Sequence, residues 1–193
     1  MRTQRLLAYA FIAGLGLLSA GSAMAARDNN PNSLLSGSYQ FNQNQTCLSV
    51  PGGDFGPPGL AITATGFTDF AYLAGVLTFD GVGNVTGHDH GISLPGNGPS
   101  SPNSSPVGTF ADNCSGTYKV RRDGSFIIHT NCAGTDGSYT LTGLQFKGQI
   151  SPDGSVWTDI AAEPVVTTLT LNNGVTIKRI CGAHAIAVRI QPH

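Results

Sequence analysis

The triplet His88-Asp89-His90 is the segment whose residue types speak most directly of chemistry. In a strand, residues two apart share a face, so the imidazoles of His88 and His90 would project to one side and could share a cation. Two ligands need a third, which His129 or His184 would have to bring. His184 has a second reading, because Ile186, Val188 and Ile190 follow it at strand spacing. That alternation predicts a core histidine, or a lumen acid or base whose pKa burial tunes, and makes His184 the candidate catalytic residue. Among the carboxylates, Asp80, Asp123, Asp136 and Asp153 sit in turns, and Glu163, the only glutamate, precedes Pro164. Asp69, Asp89, Asp112 and Asp159 have no such explanation, yet no two lie at a spacing that demands acid/base work. Gly-x-Ser-x-Gly, His-Glu-x-x-His and phosphate-binding glycine loops are missing from the sequence, so no cofactor is expected.

The elements that must carry these residues are marked by four three-residue loops ending in Gly: 122–124, 135–137, 152–154 and 172–174. A type I turn closed by a left-handed Gly makes a hairpin of this kind, since Gly takes positive φ without a Cβ clash. Folding about the first loop sets Val120 against Phe126, Tyr118 against Ile128 and Cys114 against Cys132. The second sets Ile128 against Leu144 and Phe126 against Phe146, and the third sets Ile150 against Val156 and Phe146 against Ile160. The fourth sets Leu171 against Val175 and Leu169 against Ile177. In the first three loops every paired residue is even-numbered, and a one-residue slip would flip a strand to the other face, so the agreement predicts a register. The inner wall is then Tyr118, Phe126, Ile128, Leu144, Phe146, Val156 and Ile160, with Thr130, Thr140, Thr142 and Thr158 at one end of it. Lys119, Arg121, Gln145, Lys147 and Gln149 fall outside, as do Trp157 and Asp159, and a face of that composition belongs in water rather than lipid. Folding about Asp80–Asn84 pairs Phe79 with Val85 and turns His88 and His90 away from the core, so the triplet assigns no metal.

All four cysteines are accounted for by this register: Cys114 faces Cys132, and Cys47 pairs with Cys181 by elimination, tying the first strand to one of the last. Disulfides suit export, and residues 1–25 read as a secretory signal, with Arg2 and Arg5 ahead of an apolar run and Ala23-Met24-Ala25 as the cleavage site. A flexible leader (26–36) is expected next, then a single β-barrel domain (37–193) with a long Pro/Gly/Ser loop at 94–107. With Arg2 and Arg5 removed, eight basic residues face eleven acidic ones, which argues against nucleic acid as a partner, and no second apolar segment is long enough to anchor in a membrane. No stretch after the signal has helical periodicity. The fold predicted is all-β, an antiparallel meander closed into an approximately eight-stranded barrel, with a sandwich as its competitor.

The segments Ser36–Phe41, Gly75–Gly87 and Asn131–Thr135 resemble those of small secreted bacterial proteins with the allene oxide cyclase barrel-like domain, within the calycin group. The resemblance implies a calycin-like eight-stranded barrel whose apolar interior holds a hydrophobic molecule, and it carries no catalytic residue onto any position of this chain. Three functions fit: an exported barrel, periplasmic or secreted, that binds a small hydrophobic ligand; a cyclase or isomerase working in the cavity through His184; and a structural or adhesive surface protein. The size and lining of the interior separate them.

Overall fold

The computed structural model describes residues 30–56, 60–61, 66–96, 108–160 and 165–190. The signal segment and most of the 94–107 loop lie outside them. The chain forms a short 3-10 turn, Pro31–Leu34, and the strands β1 (Ser36–Pro51), β2 (Phe55–Gly56), β3 (Leu60–Ala61), β4 (Phe67–Asp80), β5 (Asn84–Pro95) and β6 (Gly108–Val120). Then follow β7 (Ser125–Gly134), β8 (Tyr139–Ile150), β9 (Val156–Ile160), β10 (Val166–Leu171) and β11 (Thr176–Arg189). All pairings in the large sheet are antiparallel, and β1 pairs with both β4 and β11, which closes the sheet on itself. β9 and β10 each pair with β8 and β11, at different levels, and so share one position in the wall. The result is a closed eight-stranded meander barrel.

Along β1 the alternation is clear: Tyr39, Phe41, Gln43 and Cys47 are buried, while Gln40, Asn42, Asn44 and Thr46 are exposed. The two ends of the barrel differ. At one end the connections are tight turns, and the segment after Asn30 plugs the opening. Leu35 is fully buried there, Tyr118 Oη donates to the Leu35 carbonyl at 2.7 Å, Tyr39 Oη donates to the Gly154 carbonyl at 2.6 Å, and Val120 N donates to Asn32 Oδ1 at 2.8 Å. Residues 30–36, the end of the expected leader, are thus part of the fold. Phe79 stands edge-on between Tyr39 and Tyr118, with ring centroids 5.6 and 5.0 Å apart, so this half of the barrel is solid. Each large apolar side chain buried here contributes roughly 1.5–3 kcal/mol.

Gly124, Gly137, Gly154 and Gly174 all have positive φ, as the four loops require. The first and fourth hairpins have the register expected, with Cys114 opposite Cys132 and Leu169 opposite Ile177. The second does not: Ile128 pairs with Phe146, and Phe126 with Gly148. Two extra residues enter on the β8 side: Ser138 joins the loop, so that Ala133 faces Thr140, and a bulge adds one more, with Gly143 at φ +77° donating its N–H to Asn131 Oδ1 at 3.0 Å. Ile128 and Phe146 keep their face, whereas Thr140 and Thr142, beyond the bulge, are exposed and Leu141 is turned inward.

The third hairpin is offset by one residue, Ile150 pairing with Trp157 instead of Val156. The cause is local. Ser151 Oγ accepts the Val156 N–H at 3.0 Å and donates to Asp153 Oδ1 at 2.6 Å, so Ser155 is accommodated as a fourth loop residue. The slip reverses β9: Trp157 and Asp159 are 2% exposed, while Val156 is only half-buried and Thr158 is exposed. Ile160 pairs with His184 and Lys147 through its backbone, and its side chain lies outside what is described.

β11 also corrects an expectation. His184, Ile186 and Val188 face out, the last two at 49% and 54% exposure, and Ala185 and Ala187 face in. Ala187 is opposite both Phe41 and Trp157, and beside rings of that size a small residue is what fits.

Candidate functional site

The other half of the barrel is not solid. A cavity of about 70 Å³ lies there, walled by Leu73, Leu77, Phe110, Ile128, Leu144, Phe146 and Trp157. Three expected wall residues, Ile128, Leu144 and Phe146, line it; Tyr118 and Phe126 belong to the packed core, with Phe126 edge-on to Trp157 at 5.6 Å. Val156 borders a wider, open depression of about 480 Å³ on the outside, among the turn residues Arg122, Asp123 and Pro152.

The cavity is acidic. Asp89, Asp112 and Asp159 line it together with Gln43, Gln45 and Thr130, and no lysine, arginine or histidine does. The alternation that turns His88 and His90 out to solvent turns Asp89 in. Gly75, its neighbour on β4, makes room for it: a Cβ there would fall 2.3 Å from the His88 carbonyl oxygen and 2.6 Å from Asp89 Cβ. Asp112 stands directly opposite Asp89 on β6.

Their partners differ. Asp112 Oδ1 accepts a hydrogen bond from Tyr139 Oη, which favours its charged form. Asp89 receives no such support among the described residues. Its Oδ1 is buried without a partner, and its Oδ2 lies 3.8 Å from Cys114 Sγ, a disulfide sulfur that has no proton to give. Burial, then the charge of Asp112, pushes the Asp89 carboxyl up to about 7. Burial also raises Asp112, against the pull of Tyr139 and Arg179. Asp159 is pushed up to about 6 by burial, although the Ala185 N–H donates to its Oδ1 at 2.8 Å. One further atom is orphaned: Trp157 Nε1, buried with no acceptor among the described residues. At the same end Asp69 is held by Arg179 at 3.1 Å, and Arg179 Nε donates to Ser49 Oγ at 3.3 Å.

These shifts fix how stability varies with pH. A carboxyl whose folded pKa lies above its unfolded value leaves the native state holding more protons, so stability falls as pH rises from about 4 through about 7. Asp89 alone contributes on the order of 2–4 kcal/mol to that fall. Urea denaturation at about pH 5 and about pH 8 should show the wild type more stable in acid, and Asp89→Asn should flatten much of the difference.

His184 lies at the exposed surface, its Nδ1 donating to the Asp159 backbone carbonyl at 3.1 Å, and so cannot act in the cavity as expected. His88 and His90 are exposed as expected, and among the described residues no three His, Cys, Asp or Glu side chains are grouped to hold a metal ion. Cys47–Cys181 and Cys114–Cys132 are both disulfide-bonded, which suits an oxidising compartment. Among the described residues no helix is long and apolar enough to cross a membrane.

No protein-family model matches the sequence, and no curated protein matches it. Among solved structures the chain is similar to an S-type phycobiliprotein lyase from Guillardia theta, with 8% identity over 84% of this chain and 92% of that one and a TM-score of 0.30. At that level the overlay says nothing of chemistry, and the barrel rests on the strand pairings above.

Proposed function

We propose that this protein is a binding barrel that takes a small, mainly apolar molecule into its interior. The observation that supports this is the interior cavity, apolar on most of its wall, two of whose lining residues, Asp89 and Trp157, carry a buried polar atom, Oδ1 and Nε1, without a partner among the described residues. Buried polar atoms are nearly always paired, and two orphans on residues that line one cavity fit a guest that completes them. Drug-sized ligands occupy roughly 300–1,000 Å³, so a cavity of about 70 Å³ calls for a much smaller molecule.

Trp157 is the only tryptophan, so its fluorescence reports the cavity without a label. Titration with short-chain organic molecules should shift its emission saturably, and native mass spectrometry of freshly isolated protein should show a small bound mass. An emission unchanged by every probe in the series would exclude the proposal.

A further inference from the structure

The two orphaned atoms also say what kind of molecule fits. Trp157 is 2% exposed, and its indole nitrogen is a donor only, so whatever completes it must bring an acceptor. Asp89 and Asp112 occupy one rung of adjacent strands and both face inward, and two carboxylates so placed do not both ionise readily. The partners divide the roles. Asp112 receives the Tyr139 hydroxyl and feels Arg179 from β11, whereas Asp89 faces Gly75 on β4, a disulfide sulfur on β6 and the Asp112 carboxylate, with no donor or cation against it. Asp136, in the turn beyond, adds negative charge beside Asp112. The charge therefore resides on Asp112 and the proton on Asp89, which turns Asp89 from an acceptor into a donor.

Resting on the reading of the barrel as a binding protein, we infer that its ligand is an uncharged molecule bearing a carbonyl oxygen, recognised by two donors, the Asp89 carboxylic acid and the Trp157 indole N–H. The remaining polar wall disfavours an anion. An anionic head group would meet the Asp112 carboxylate with no cation lining the cavity to offset it. A carboxylic acid kept neutral in an apolar site so that it can donate a hydrogen bond is a known device for holding a ligand oxygen.

The test uses the whole protein and three small probes of equal chain length, 2-butanone, butyrate and butylammonium, read by Trp157 emission at about pH 5.5 and about pH 8.5. The ketone should bind best at the acidic pH and weaken roughly 30-fold at the alkaline one, as the protonated fraction of Asp89 falls around its pKa of about 7. Asp89→Asn keeps a donor that does not titrate, so it should bind the ketone with no such pH dependence. An infrared carboxylic-acid band that persists near neutral pH in the wild type and is absent from Asp89→Asn reports the proton independently of any ligand.

The outcomes separate the two readings. Ketone binding that is independent of pH in the wild type, or a preference for butyrate or butylammonium, overturns the carbonyl assignment and leaves a binding barrel. Silence of Trp157 toward every probe at both pH values overturns both.

Discussion

Replacing both Cys47 and Cys181 by Ser should lower the free energy of unfolding by about 5 kcal/mol, against about 3 kcal/mol for the same change at Cys114 and Cys132. The difference comes from the unfolded chain. The first bridge spans 134 residues and the second 18, and the longer the loop a cross-link closes, the more conformations it removes from the denatured ensemble. The two bridges also sit in different mechanical situations. Cys114 and Cys132 belong to one hairpin whose turn already holds them together, while Cys47 and Cys181 join β1 to β11, where the sheet closes. A loss of about 5 kcal/mol is comparable with the entire stability of many domains, so the seam variant should be largely unfolded at physiological temperature. Urea unfolding of the two double variants checks this, and an equal loss in both would show that chain entropy is not what the seam bridge contributes.

Inserting one residue after Ser155 should be nearly as damaging, although the site is a loop. With the four-residue loop 152–155 kept, the added residue takes the place of Val156 opposite Ser151 and pushes β9 on by one position. Val156 would then oppose Ile150, and Trp157 and Asp159 would turn out to solvent. Losing a buried tryptophan typically costs 3–5 kcal/mol, and the opposite half of the core would lose the ring against which Phe126 packs. The expected observation is a red-shifted Trp157 emission with a lowered urea midpoint. Ser155→Gly, which keeps the residue count and the backbone N–H bond to Asp153, should preserve the native emission at a cost near 1 kcal/mol from the lost hydroxyl hydrogen bond to Asp153 Oδ1.

This slip also marks the boundary of what could be read in advance. The closed meander, both disulfides, the outward His88 and His90, and the first and fourth hairpin registers follow from Gly-ended loops and strand alternation, which are local and therefore visible in the sequence. The β8 bulge and the fourth loop residue before β9 depend on single side chains, Asn131 and Ser151, satisfying backbone N–H groups across a turn. A pattern of apolar alternation does not register such contacts. The β11 face was misleading for another reason: Ile186 and Val188 look like core residues, but the interior beside them is already filled by Phe41 and Trp157, leaving space for alanine. The acidic cavity was partly within reach. If His88 and His90 face solvent, Asp89 must face inward, and Asp112 shares the inward face of Tyr118, but the register that puts it on Asp89's rung is set across the long 94–107 connection, where no turn signal marks it. What no sequence rule supplies is the shortage of partners around Asp89.

The seam between β1 and β11 imposes an order in time. Tyr39 pairs with Arg189, whereas Val120 pairs with Phe126 across one turn, so the hairpins can form while the chain is still incomplete and the barrel cannot close until β11 has been made. Contacts of such separation slow folding, towards the millisecond-to-second range of all-β domains. Cys114 and Cys132 meet early, and their bond removes two thiols from competition. Cys47 must wait as a free thiol through the synthesis of nearly the whole domain, and its correct oxidation depends on the hairpin bridge having formed first. Oxidative refolding should therefore yield the 114–132 bond before the 47–181 bond, and mispaired Cys47–Cys114 or Cys47–Cys132 species should accumulate when the oxidant is supplied faster than the first hairpin folds.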